Sequence, residues 1–480
     1  MSIRINDPHY CQRKTASQAP NTTAPNDGEM GFLKWFIAFV ALWLPCAICD
    51  ASSSRAIDSY FKPFVATNNF SGSVLVVKNG ETVFEKSYGF ADPLKRVRNT
   101  ADTRFHIASN SMLFTAFAIM RLVEQHKISL DEPVGDIVSD IPNARRITIR
   151  ELLEEKSGLP DVNDLPTYDN LLTAHQTPES LVAQIHGLKP LAEPGKSGTD
   201  EEHSAYNVLA LIIERKTGLH FAEAMRQLVF APAGMRDSGA DDDGPMSSTT
   251  AVGQNVIGEF GLKIAPAIHW SALPGNGSVY STTRDINIWF DALLNDKLLS
   301  ASARTIMLST NPDTGYGWDD KSFDKRFNQI MYFSGGRVAG FSSTIIYFPN
   351  ERLRMILLSN IEHDMSFNIT EDIASIVLGK PYVAFTDRPV LLSASARAKL
   401  TGKYKFGADF YRPNATLAVR DTARGLVLEW PQRVTPLLPV SSDAFFDRFY
   451  WLRCTVVQNA KSRPVSLNCG KFEGTFVSPV

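Results

Sequence analysis

The sequence predicts a mixed α/β fold of the α+β kind, an antiparallel sheet flanked by helices, followed by a small all-β domain. Three observations carry this. Ser71–Gly89 reads as two short strands, SVLVV and TVFEKSYG, joined at Asn79-Gly80, and Asn-Gly supplies the two left-handed residues that a tight hairpin turn requires. Met112–Glu124 is apolar almost all round, with only Thr115, Arg121 and Glu124 polar, which marks a helix buried in a sizeable core. From about Leu391 the texture shifts to short strand-like runs, GKYKF, ATLAVR, GLVLEW and TPLLPV, separated by Gly, Pro and Asp turns, as in a small antiparallel barrel or sandwich.

At 480 residues, 44% hydrophobic and 21% charged, the chain has room for two or three domains. A net charge of -2 and the lack of any Lys/Arg run interleaved with aromatics exclude nucleic acid as a partner. Residues 1–29 are too polar to build a core. Lys34 then leads into the apolar stretch Trp35–Leu44, followed by Pro45 and small residues at Ala47, Cys49 and Ala51. The uncharged run 35–49 is shorter than the ~20 residues of a membrane span. It fits a secretory signal peptide, with Met30 as an alternative start, or else an uncleaved membrane tether. An exported, periplasmic or extracellular protein is expected, divided into residues 1–51, 52–385 and 386–480.

Of five cysteines, only Cys454 and Cys469 lie beyond that segment, on the apparent strands FYWLRCTVV and RPVSLNC. An even pair in an exported chain suggests one disulfide, the alternative being two reduced, buried thiols.

Between the first hairpin and the C-terminal strands, Ile147–Asp161 predicts a helix begun at Thr148 and stopped by Gly158 and Pro160. His203–Thr217 predicts a helix ending before Gly218. Asp241–Asp243 lacks the ligand spacing of a metal loop and reads as a solvated turn. Residues 275–296 predict a Gly-rich turn into a helix capped by Thr283, and 334–360 predict a hairpin around Pro349–Arg352. Ser109 falls where a loop enters the buried helix, where backbone N–H groups are unpaired and the dipole favours negative charge. A serine so placed could attack a carbonyl and hold the oxyanion; the local pattern alone more simply makes it an N-cap.

The order and spacing of several segments resemble the serine β-lactamase and D-alanyl-D-alanine peptidase superfamily, in its class C and esterase-like branch. These are YGFAD (88–92), DTRFHIAS (102–109), LDEPV (130–134), ITIRELL with SGLP, STTRDINIWF and GFSSTIIYFPNE, and the resemblance covers roughly residues 58–380. It implies a sheet of early and late strands (71–89 and about 330–360), with a helical subdomain inserted near 125–300 and Ser109 on the floor of the cleft between them. The tail resembles the lipocalin-like domain that often follows.

Family chemistry needs a lysine one helical turn after the serine, because a neutral hydroxyl is a poor nucleophile until a base takes its proton. It also uses a Tyr-x-Asn and a Lys/His-x-Gly on a strand. Here the serine is Ser109, but the lysine position is Met112. The Tyr-x-Asn falls on Glu201-Glu202-His203, and the strand motif falls on Ser334-Gly335-Gly336. His-Thr-Ser-Gly-Leu becomes Glu155-Lys156-Ser157-Gly158-Leu159. The resemblance assigns the oxyanion donors to the N–H groups of Ser109 and Arg337, beside Gly336; such donors survive side-chain exchange. Two functions are expected as rivals. One is an impaired relative that binds a cell-wall peptide, another small molecule of β-lactam type, or a protein partner in the cleft. The other is a working serine hydrolase, an esterase, peptidase or β-lactamase, acylated on Ser109 with Glu201 or His203 as base. No cofactor is expected. A cation on Asp200, Glu201 and His203 lacks the support of a His-x-x-x-His or a cysteine pair.

Overall fold

The computed structural model describes residues 44–480 except Asp200, Pro245, Met246, Asp313 and Met365. The apolar run at 35–43 lies outside the described residues. Among the described residues no helix is long and apolar enough to cross a membrane. Helix α1 (Leu44–Ala66) runs across the expected boundary at 51/52.

The first hairpin forms as β1 (Gly72–Lys78) and β2 (Glu81–Tyr88), with Asn79 at φ 53° and Gly80 at φ 85° in the turn. The buried helix is α2 (Ser111–Glu124). Next come α3 (His203–Thr217), closed by left-handed Gly218, and the hairpin β3 (Gln254–Ile257) and β4 (Gly261–Ile264). Helix α4 (Thr283–Leu294) follows; its cap is Thr282 rather than Thr283, the Thr282 side chain accepting the Asp285 N–H. Around Thr148 a full capping box forms, but the helix is only Ile149–Leu153. It stops before Gly158 because Glu155 already adopts a positive φ of 56°.

Late strands β5 (Asp320–Asp324), β6 (Gln329–Val338), β7 (Phe341–Phe348) and β8 (Leu353–Ser359) join the first hairpin in a six-stranded antiparallel sheet of order β5-β6-β7-β8-β1-β2. Both faces are covered, so the central strands read as continuous apolar runs rather than alternating ones. Leu75, Val77, Ile345, Ile356 and Leu358 pack on the side of α2, α3 and α4. Val74, Val76, Ile346, Met355 and Leu357 pack against α1 and α5 (Ser366–Val377) through Ile57, Phe61, Phe64, Ile369 and Ile373. Short β9 (Ile361–Glu362) pairs in parallel with β3.

The C-terminal domain is a closed eight-stranded barrel that begins at Gly402 and ends at Ser478. Its interior is filled by Tyr404, Leu417, Val419, Leu428, Phe445 and Leu467, among others. Cys454 and Cys469 face each other across adjacent strands and form a disulfide. Arg448 reaches out of the barrel into a cage of six oxygens, the Asn69 side chain and the carbonyls of Thr67, Asn68, Ile257, Gly258 and Gly261. A guanidinium has five donors in a fixed fork, so one residue ties the barrel to both the α1 exit and the β3–β4 turn.

Candidate active site

Ser109 lies in a single 3₁₀ turn, Ala108–Asn110, between the short strand Phe105–His106 and α2. The preceding Ala108 has φ 50°, a left-handed conformation that costs a non-glycine residue on the order of 1–3 kcal/mol and is retained where the surroundings fix it. Residues 105–108 and 110–120 are buried, and Ser109 alone within that stretch is partly open to solvent. The N-cap position of α2 belongs to Asn110, whose side chain makes no capping bond; it donates instead to the Ser343 hydroxyl, 2.7 Å away. Ser109 is therefore presented at the helix mouth rather than used as a cap.

Gly336 of β6 lies against it. A Cβ added at Gly336 would stand 2.3 Å from the Ile107 carbonyl oxygen and 2.9 Å from the Ser109 nitrogen, so the strand approaches the turn as closely as only glycine allows. Among the described residues no strand pairs with the outer side of β6 beyond Phe333, since β5 ends its pairing with Asp320 opposite Phe333. The Gly335 N–H points to that open side and donates to the Asp319 carboxylate at 2.9 Å. Alternate N–H groups of a strand face the same way, and β6 pairs with β7 here without a register shift, so the Arg337 N–H also faces out. The N–H groups of Ser109 and Arg337 are the two that the resemblance assigns to an oxyanion site, and Gly336 brings the strand that carries Arg337 against the Ser109 turn.

Met112 is buried in the core. Ser334 is fully buried, and its hydroxyl donates to the Gly317 carbonyl at 2.9 Å. Gly317, at φ 81°, also sits against the backbone of Met112 and Leu113, so these positions converge on it. Glu201 and His203 come together at the start of α3. The imidazole Nδ1 of His203 is 3.1 Å from Asp161 Oδ2, and its Nε2 is 3.1 Å from Glu201 Oε2. The His203 backbone N–H donates to the same Asp161 oxygen at 2.9 Å. Burial works against charging this ring, yet the hydrogen bonds to Asp161 and Glu201 outweigh it and hold the pKa up at about 10. Burial likewise opposes ionisation of Glu201, and the imidazolium beside it wins, holding the carboxyl below its ordinary value. Behind them Glu155 is pushed up to about 7 by burial and then by the charge of Glu201. Glu202 turns inward and accepts from the Ser157 N–H, the Ser157 hydroxyl and the Gly158 N–H. The result is a carboxylate–imidazolium–carboxylate clamp. Among the described residues no hydrogen bond links Ser109 to Glu201, His203 or Ser334.

The structure thus brings Ser109, Gly336 and Arg337 together, sets Met112 and Ser334 beneath them, and gathers Glu201 and His203 with Asp161. The role of Asp161 was not visible in the sequence because it acts on a residue 42 positions away; its one local trace is the cap it gives the turn Val162–Asp164. Asp243, in the acidic triplet, accepts from Ser271 and pairs with His175 and His269, each at 3.0 Å, tying loops together.

A serine on a strained turn at the mouth of a buried helix, with a glycine of the antiparallel sheet packed against it, fits a serine hydrolase scaffold. Residues 57–378 match the Beta-lactamase family, and the chain belongs to it. A penicillin-binding protein of Bacillus subtilis (strain 168), PbpX, is 28% identical over 315 residues, 65% of this chain and 75% of that protein. Protein flp of Staphylococcus aureus (strain MRSA252) is 24% identical over 345 residues, 69% of this chain and 68% of its own. A crystallised penicillin-binding protein from Bacillus halodurans superposes with a TM-score of 0.58 at 25% identity, covering 67% of this chain and 98% of that one. The octameric penicillin-binding protein homologue from Pyrococcus abyssi shares the fold over 87% of this chain and 99% of its own, with a TM-score of 0.61 at 20% identity.

Proposed function

We propose that this protein binds a cell-wall peptide or β-lactam-like ligand in the Ser109 cleft and turns it over weakly or not at all. The observation that carries this is the fate of the proton-transfer positions. Met112 has no site for a proton, and His203 has both ring nitrogens committed to carboxylates, so as an imidazolium it offers no lone pair. In serine hydrolases, removing the nucleophile or its base costs on the order of 10⁶ in turnover and leaves ~10³–10⁴ over water from the oxyanion hole and binding. The backbone donors remain, which supports ligand binding.

A second reading has one observation in its favour. The resemblance puts Glu201 where the family has its tyrosine, and the imidazolium of His203 favours its ionised form, so a hydrolase with Glu201 as base is the rival. The same imidazolium that keeps it ionised makes it a weak base, which argues against rapid turnover. Intact mass after incubation with benzylpenicillin or a fluorophosphonate separates the two. The proposal expects no stoichiometric adduct within minutes; an adduct that Ser109→Ala abolishes would establish the rival. The protein is further proposed to be exported, with residues 35–49 as signal or tether; cell fractionation of the full chain tests this.

A further inference from the structure

Building on the ligand-binding reading above, we propose that the C-terminal barrel is a positioning element for the Ser109 cleft, holding the oxyanion end of β6 through a strap at residues 361–364. The need for such a device follows from the sheet. Among the described residues, β6 from Ser334 to Val338 is paired only on its β7 side, so what holds the turn beyond it decides where the Arg337 N–H lies.

The barrel supplies the hold along three routes. The Asp364 N–H donates to the Phe449 carbonyl at 2.8 Å, and its carboxylate pairs with the Arg337 guanidinium at 3.1 Å. Glu362 pairs with Arg433 of the barrel at 3.3 Å through one oxygen and accepts the Gly340 N–H at 3.2 Å through the other. The buried Phe449 ring also carries two cations, with the Arg337 guanidinium 4.9 Å and that of Arg433 4.0 Å from its centroid. Phe449 is itself fixed, because Asp447 accepts the N–H groups of Phe449 and Tyr450 at 2.8 and 3.0 Å and the Trp430 indole N–H at 3.0 Å. Arg448, next in the chain, anchors the same turn in its oxygen cage. The solid barrel interior leaves its rim as the part that acts, and this rim segment touches the residue that carries an oxyanion donor.

Phe449→Ala removes the platform for both guanidiniums, and Asp364→Ala removes the carboxylate that holds Arg337 directly while leaving the barrel and the Glu362 route in place. Hydrogen exchange followed by mass spectrometry on the full chain is expected to show amides of 334–341 exchanging ~10-fold faster in either variant, with 72–78 and the barrel strands unchanged. Phe449→Tyr, which keeps the ring, is expected to restore the wild-type rate. Benzylpenicillin affinity is expected to fall by a similar factor in both loosened variants. Unchanged exchange at 334–341 in Asp364→Ala overturns the proposal, as does loosening in Phe449→Ala that spreads equally to 72–78. If the wild-type protein binds no benzylpenicillin, the ligand-binding reading fails while the exchange measurement still decides the positioning role.

Discussion

The clamp at His203 makes a quantitative prediction about pH. His203 is held from an ordinary 6.5 up to about 10 in the folded chain. A folded state that keeps its proton longer than the unfolded one gains stability that is complete below pH 6.5 and is lost as pH rises through about 10. At about 1.4 kcal/mol per pKa unit, the shift sets a ceiling of about 5 kcal/mol. His203→Gln removes the cation and leaves Asp161 and Glu201 facing each other, which is expected to cost about 3–5 kcal/mol at pH 7. The difference between wild type and variant should then shrink steadily from pH 7 to pH 10. Urea unfolding followed by tryptophan fluorescence at several pH values measures it, and subtracting the variant removes the titration of lysines common to both. A gap that stays level across that range would refute the claim that a buried imidazolium holds this corner together.

Glu155→Gln should act the other way. A carboxyl raised to about 7 contributes stability below pH 4.5 that is gone above about 7, so the amide should stabilise the protein at pH 8, by at most about 3 kcal/mol, and change little at pH 4, as unfolding at the two pH values would show. Gly336→Ala should lower stability by about 1–3 kcal/mol, because its methyl meets the Ile107 carbonyl and the Ser109 nitrogen; thermal melting reads this. Reducing the Cys454–Cys469 disulfide, which closes a separation of 15 residues, should cost the barrel about 3 kcal/mol, seen as a lower barrel melting transition in dithiothreitol. Met112→Lys should raise ester hydrolysis in a spectrophotometric assay if the cleft is otherwise competent.

Local chemistry made much of the fold legible. Asn79-Gly80 fixed the first hairpin, the apolar run after Asn110 fixed α2, and the turns after Leu391 announced a barrel, because each depends on neighbours in the chain. The strands facing Ser109 were found through spacing, and β5 was missed: Asp320–Asp324 is short and polar, and it becomes a strand only because β6 offers it an edge. The site was half legible. The resemblance pointed to Glu201 and His203, but their pairing was not legible, since Asp161 reaches His203 from 42 residues away. Ser109 looked like a helix cap until the left-handed Ala108 and the Asn110 bond to Ser343 showed otherwise.

The seam between the two domains has a practical consequence. Phe385, in the connecting segment, lies within 6.0 Å of Phe64 and 4.9 Å of Trp451, ring centre to ring centre, while Trp451 stacks on Phe446 of the barrel. Cutting the chain after residue 385 would therefore bare an aromatic scar on α1 and strip five carbonyls and the Asn69 amide of their guanidinium. The severed N-terminal portion would be a stickier and looser object than the same residues in the whole chain. A failure of that fragment to take up a ligand would describe the wound, not the protein.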